Sequence, residues 1–130
     1  MTFYESQIKQ LGSKVYANQY QLDTVIATRN YIINHFDKNL NLDQLAHLRF
    51  TSKFHLLRLF KRYYGQTPGQ YLIDTRVEKS KAMLKSGASV SDSCYAVGFD
   101  SPASFSTLFK SRTGLTPSAF QKKSIFAKQD

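Results

Sequence analysis

Apolar side chains recur every three or four residues through most of this chain, a spacing that gathers them on one face of a helix and predicts an all-helical protein. Residues 1–22 carry the weakest version. Ile8, Leu11 and Val15 are spaced as a helix requires, but Gly12 and Ser13 interrupt them, so an arm or a frayed helix is expected. From Asp23, a candidate N-cap, Val25, Ile26, Arg29, Ile32, Ile33 and Phe36 make an amphipathic helix that ends between Asn34 and Asn39. Asn41-Leu42-Asp43-Gln44 reads as a variant capping box that opens a short helix with Leu42, Leu45, Ala46 and Leu48 facing inward. Arg49-Phe50-Thr51 form a turn, Ser52 caps the helix that follows, and Gly65 closes it.

Thr67-Pro68-Gly69-Gln70 combines an N-cap, a proline at the first helical position and a glutamine three residues after the cap. A long helix starts there with Leu72, Ile73, Val77, Met83 and Leu84 as its apolar side. It reaches Gly87, about nineteen residues and roughly 28 Å. The pattern then restarts. Ser89-Val90-Ser91-Asp92 is a second capping box, Cys94, Tyr95 and Val97 continue a short helix, and Gly98-Phe99-Asp100 turn the chain. Ser101-Pro102 opens a helix with Phe105, Leu108 and Phe109 inside and Ala103, Ser106, Thr107 and Lys110 outside; Gly114 stops it, and Thr116-Pro117 starts a last helix through Ala119 and Phe120.

Leu59-Phe60-Lys61, Gly65, Thr67-Pro68 and Tyr71 align with Leu108-Phe109-Lys110, Gly114, Thr116-Pro117 and Phe120 at a constant offset of 49, which falls to 48 ahead of the turn. A helix, a short turn and a second helix thus occur twice, an arrangement that projects the second helix into a groove of DNA. The expected fold is all-α, with two helix-turn-helix subdomains joined by a long linker helix and about seven helices in all. The expected boundaries are an arm or frayed helix over 1–22, a first subdomain over 23–66, the linker helix over 67–87, a second subdomain over 88–124 and a tail over 125–130.

Charge sharpens the picture. Eighteen Lys and Arg stand against nine Asp and Glu in the 130 residues, a net charge of +9 that favours a polyanionic partner. Residues 42–72 hold five basic residues and one acid, net +4, whereas residues 1–41 hold four and three, net +1. Basicity begins with the first helix-turn-helix pattern. In its second helix, Leu56, Leu59, Phe60 and Tyr63 share the inner face, which leaves Phe54, Leu57, Arg58 and Lys61 on the outer one. That mixture suits thymine methyls, base edges and phosphates, although Phe54 and Leu57 could instead pack on a neighbouring helix.

Residues 23 to about 122 resemble the AraC-type transcriptional regulator DNA-binding domain. The motifs are Leu45-Ala46 with Ser52-Lys53-Phe54-His55-Leu56-Leu57-Arg58-Leu59-Phe60-Lys61, and Ala96-Val97-Gly98-Phe99-Asp100-Ser101 with Phe105-Ser106-Thr107-Leu108-Phe109-Lys110 and Gly114-Leu115-Thr116-Pro117. The resemblance implies base reading by Phe54, Leu57 and Arg58 in the first recognition helix, and by Ala103, Ser104, Ser106 and Thr107 in the second. Arg58 is the expected main reader, with Lys53, Lys61, Arg62 and Lys110 on phosphates. The sequence departs from the family at Ser93-Cys94, where a branched aliphatic residue and Ala are usual, and at Phe50, which fills a turn position where Gly is common. The family's usual effector-binding domain has no counterpart in residues 1–22.

Other chemistry finds little support. His35, His47 and His55 share no metal-ligand spacing with carboxylates or with Cys94, the single cysteine, which is expected as buried filler. No phosphate loop or nucleophile elbow occurs, so neither an enzyme nor a cofactor is expected. Ten Phe and eight Tyr could stack on single-stranded bases, but Phe36, Phe60, Phe105, Phe109 and Phe120 fall on inner faces. The expected function is transcription regulation by sequence-specific binding of double-stranded DNA, reading two successive major grooves with two recognition helices. RNA binding and a protein-interaction module using the same face are the alternatives. One chain on DNA is expected, with dimerisation through residues 1–22 left open and RNA polymerase a further candidate partner. No apolar run is long enough for a membrane span, and a cytoplasmic location is expected.

Overall fold

Helices and short turns account for everything in the computed structural model, which describes residues 2–129, without the side chains of residues 8, 10–17, 128 and 129. Among the described residues the helices are α1 (Phe3–His35), α2 (Leu42–Leu48), α3 (Lys53–Tyr64), α4 (Pro68–Lys85), α5 (Val90–Ala96), α6 (Pro102–Thr113) and α7 (Pro117–Gln129). The all-α expectation holds. The chain divides into two units: one runs to Tyr31 and resumes over Leu42–Pro68, and the other takes Ile32–Asn41 and the described residues from Gly69 onward.

In the first unit, Thr24, Val25 and Thr28 of α1, Leu45 and Ala46 of α2, and Leu56, Leu59 and Phe60 of α3 are buried. The buried Thr28 hydroxyl donates to the Thr24 carbonyl at 2.8 Å, which satisfies it without a partner outside the helix. Along α3 the inward stripe follows the i, i+4 row from Leu56 through Phe60 to Tyr64. The rings of Phe60 and Tyr64 lie 4.8 Å apart, and the Arg29 guanidinium sits 5.8 Å from the Tyr64 ring centre. Tyr63, expected inside, is instead 38% exposed in the last turn, and Leu48, at the end of α2, is 47% exposed.

The second unit is built on an aromatic chain. Phe99 and Phe105 lie 5.2 Å apart between ring centres, Phe105 and Phe109 5.6 Å, and Phe109 and Phe120 5.4 Å. Val77 and Leu84 of α4, with Cys94 and Val97, complete the buried cluster. Rings used in this way are core, not a stacking platform. The Gln121 amide of α7 donates to the carbonyls of Leu84 at 3.0 Å and Ala88 at 2.6 Å, satisfying acceptors where α4 ends. Ser93 is buried, and its hydroxyl donates to the Ser89 carbonyl at 2.8 Å, so a polar residue at this core position costs no unpaired group.

Three boundaries differ from expectation. The first helix does not start at Asp23: α1 is continuous from Phe3, and the Asp23 carboxylate accepts from the Gln19 amide at 2.9 Å one turn back, inside the helix. One glycine in a helix costs about 1 kcal/mol, too little to break so long a helix. Residues 125–129 are not a tail but continue α7, because no Gly or Pro follows Pro117. Finally, α4 is more than a spacer. Val77, Ser80 and Leu84 are buried, and the helix belongs to the second unit.

Candidate nucleic-acid interface

Each unit presents one helix built on the same plan. In α3 the Ser52 hydroxyl accepts from the His55 N–H at 3.1 Å, and at the other end the Gly65 N–H donates to the Lys61 carbonyl at 2.8 Å. In α6 the Ser101 hydroxyl accepts from the Ser104 N–H at 3.2 Å, and the Gly114 N–H donates to the Lys110 carbonyl at 2.8 Å. Both helices have twelve residues, and each follows a seven-residue helix, α2 or α5. The repeat read from the sequence is therefore a repeat of structure. Caps at both ends satisfy terminal backbone groups that water or a ligand would otherwise have to meet.

On α3, Leu56, Leu59 and Phe60 hold the helix to its unit, and this leaves Lys53, Phe54, Arg58, Lys61 and Arg62 exposed. Phe54 is 62% exposed, so it does not pack on a neighbouring helix, the alternative its apolar character had left open. Leu57 is half-buried and offers only part of its side chain. The Lys53 ammonium lies 3.7 Å from the Asp43 carboxylate and 5.4 Å from the Phe54 ring centre. Both members of that ion pair are largely in water, where such a contact is weak and easily exchanged for a phosphate.

On α6, Phe105 and Phe109 are fully buried, while Ala103, Ser104, Thr107 and Lys110 are exposed and Ser106 is half-buried. The Thr107 hydroxyl donates to the Ala103 carbonyl at 3.0 Å, which leaves its oxygen as an acceptor. Arg112, in the last turn, is held away from such a role: its Nε donates to the Asp74 carboxylate of α4 at 2.6 Å. The structure thus gathers Lys53, Phe54, Leu57, Arg58, Lys61 and Arg62 on one helix of the first unit. It gathers Ala103, Ser104, Ser106, Thr107 and Lys110 on one helix of the second.

The turns ahead of these helices contain what sequence reasoning missed. Phe50 adopts a left-handed conformation, φ 53°, and is 94% exposed; its counterpart Gly98 has φ 101°. A Cβ on Gly98 would stand 3.0 Å from the Phe36 carbonyl oxygen and 3.1 Å from the Arg76 guanidinium. Arg76 donates through Nε to that carbonyl at 2.7 Å and through a terminal nitrogen to the Lys38 carbonyl at 2.8 Å, and its guanidinium lies 5.5 Å from the Phe99 ring centre. Burial lowers its pKa, against the raising influence of Asp100 and then Asp37. No motif announces Arg76, because its partners are main-chain carbonyls far away in sequence.

Among the described residues, no group of three His, Cys, Asp or Glu side chains is placed to hold a metal ion, and no helix is long and apolar enough to cross a membrane. A family model described as a helix-turn-helix domain matches residues 45–123. An uncharacterized HTH-type transcriptional regulator in the cgkA 5' region of Pseudoalteromonas carrageenovora is 34% identical over 92 residues, 71% of this chain and 55% of that protein. The bifunctional transcriptional activator/DNA repair enzyme AdaA of Bacillus subtilis is 34% identical over 95 residues, 72% of this chain and 45% of that protein. The chain thus spans about half the length of these curated relatives. Among solved structures, the C-terminal domain of AraT, a response regulator from Geobacillus stearothermophilus, matches with a TM-score of 0.74 at 29% identity, covering 77% of this chain and 84% of that one.

Proposed function

The chain belongs to the AraC-type helix-turn-helix family, and from that premise we propose that it regulates transcription by binding double-stranded DNA at specific sequences. The observation that carries the proposal is the matched pair of capped helices, each anchored from inside and each offering basic or short polar side chains outward. In this reading α3 and α6 each enter a major groove, and together they read two successive grooves. Arg58 forks onto guanine O6 and N7, while Phe54 and the exposed part of Leu57 meet thymine methyls. Ala103, Ser104, Ser106 and Thr107 approach base edges, and Lys53, Lys61, Arg62 and Lys110 hold phosphates.

The domain does no chemistry of its own in this reading. One chain suffices for one site, the protein acts in the cytoplasm where it meets the DNA, and an effect on transcription passes through RNA polymerase. The test is selection of bound duplexes from a random pool, followed by binding of the selected duplex across a salt series. An enriched site covering two major grooves, steep salt dependence and poor competition by single-stranded RNA are expected. No enrichment, or equal competition by single-stranded RNA, would overturn the proposal.

A further inference from the structure

The first half of α1 carries a pattern that the core of neither unit uses. Val25 is fully buried in the first unit, and counting back from it in alternating steps of three and four reaches Leu22, Asn18, Val15, Leu11, Ile8 and Tyr4. All lie within the single helix Phe3–His35. Three consecutive heptads in this phase put Ile8, Val15 and Leu22 at position a and Tyr4, Leu11, Asn18 and Val25 at position d. Asn18 is exposed, as is Tyr4, and Leu22 is 37% exposed.

A helix of about twenty residues standing beyond its core, with a glycine and β-branched residues in it, is marginal in water without a partner along its apolar side. The heptad says what that partner is. We infer that residues 4–22 pair with the same stretch of a second copy of this chain as a parallel two-stranded coiled coil. β-Branched residues at a with leucine at d favour two parallel strands. The flanking e positions are Glu5, Gly12 and Gln19 and the g positions Gln7, Lys14 and Gln21, so in a parallel pair Gln7 faces Gly12 and Lys14 faces Gln19. No like charges oppose each other, which makes the seam self-compatible.

The size of the seam fixes the strength of the pair. Five apolar side chains per copy, at roughly 60–120 Å² each, cover roughly 600–1,200 Å² in total, the low end for a specific interface. The pair is therefore reversible, dissociating in the micromolar range. Asn18 is the one polar residue in the seam ahead of Val25; facing its own copy it aligns the strands and weakens them.

Sedimentation equilibrium of the full chain without DNA tests this, and its outcome is independent of whether DNA is bound. Mass should rise with concentration from 14.9 kDa towards twice that value. Leu11→Glu should weaken association at least tenfold while the thermal transition of the folded units persists, and Asn18→Leu should strengthen it at least tenfold. Tyr4→Cys should form a disulfide between like ends under mild oxidation, which only a parallel pair allows. A constant 14.9 kDa mass at all concentrations, a dimer indifferent to Leu11→Glu, a larger assembly, or no Tyr4→Cys crosslink would each overturn the inference.

Discussion

The Arg76 side chain reaches from the middle of α4 to the Phe36 carbonyl, 2.7 Å from its Nε, just past the end of α1. With a second bond to the Lys38 carbonyl, it satisfies two acceptors where the helix leaves carbonyls unpaired and where a cation is favoured. Hydrogen bonds from a charged donor are the stronger kind, worth about 1.5–3 kcal/mol each. Arg76→Ala should therefore cost about 3 kcal/mol, read from urea unfolding. Arg76→Lys should recover less than half, since an ammonium cannot reproduce the planar fork. A loss below about 1 kcal/mol for the alanine variant would mean that water replaces the clamp at little cost.

Gly98 and Phe50 occupy equivalent turns and predict opposite outcomes. Gly98→Ala puts a Cβ at a strongly positive φ and against both the Phe36 carbonyl and the Arg76 guanidinium, so it should destabilise by about 2 kcal/mol or more. Phe50 is already strained at φ 53° and buries almost nothing. Phe50→Gly removes about 1–2 kcal/mol of backbone strain and adds back about 0.5–1 kcal/mol of unfolded-chain entropy. The net gain should be near 1 kcal/mol or less, with a higher thermal midpoint. A destabilised Phe50→Gly would show that the ring makes a contact worth more than the strain.

How much of this was legible in the sequence depends on whether the cause was local. Ser52, Ser89 and Ser101 cap as their spacing indicated, because a cap is made within four residues, and Gly65 and Gly114 end helices for the same reason. The outer faces of α3 and α6 followed from periodicity alone. The start of α1 did not, since Gly12-Ser13 looks like an interruption until the cost of one glycine is weighed against the length of the helix. Arg76 to Phe36 and Arg112 to Asp74 span forty and thirty-eight residues, and nothing in a local window marks them. Phe54 could be assigned to solvent only once its surroundings were known.

Cys94 tests the tightness of the second core. Burial, and then the charge of Asp100, push its thiol pKa up. A group whose folded pKa is raised contributes stability that is intact below the unfolded value and is lost as pH rises through the folded one. Stability should therefore decline above about pH 8.5, the unfolded thiol's value, in addition to any general alkaline loss, and Cys94→Ala should remove that component. At neutral pH a thiol reagent should label Cys94 only as fast as the unit opens. Labelling at the rate of a free thiol would show that the core is open.

The basic residues of α3 should separate into two kinds. Lys61→Ala should weaken every duplex alike and lower the salt slope by about one unit, because it removes one phosphate contact. Arg58→Ala should in addition relax preference at particular base pairs. Binding to the selected site and to scrambled duplexes, each across a salt series, distinguishes them. Two variants with the same profile would refute the division of labour.

The two helices should also be unequal readers. Thr107 is the repeat counterpart of Arg58 at the offset of 49, so the position that carries a five-donor fork in α3 carries a single hydroxyl in α6. That hydroxyl already gives its proton to the Ala103 carbonyl and keeps only an acceptor for a base, and Ser106 is half-buried beside it. Ala103 and Ser104 are short, and short groups that accept or donate singly suit several bases and often act through water. Phe54, by contrast, stands 62% exposed on α3 with its ring free to meet thymine methyls. Base-pair changes under α3 should therefore cost ~1–3 kcal/mol each and those under α6 clearly less. The opposing possibility is that small side chains let α6 sit closer to the bases and make a tighter steric fit. Scanning every base pair of a selected site decides between them: penalties under α6 that equal or exceed those under α3 would mean that close approach, not donor count, sets the specificity.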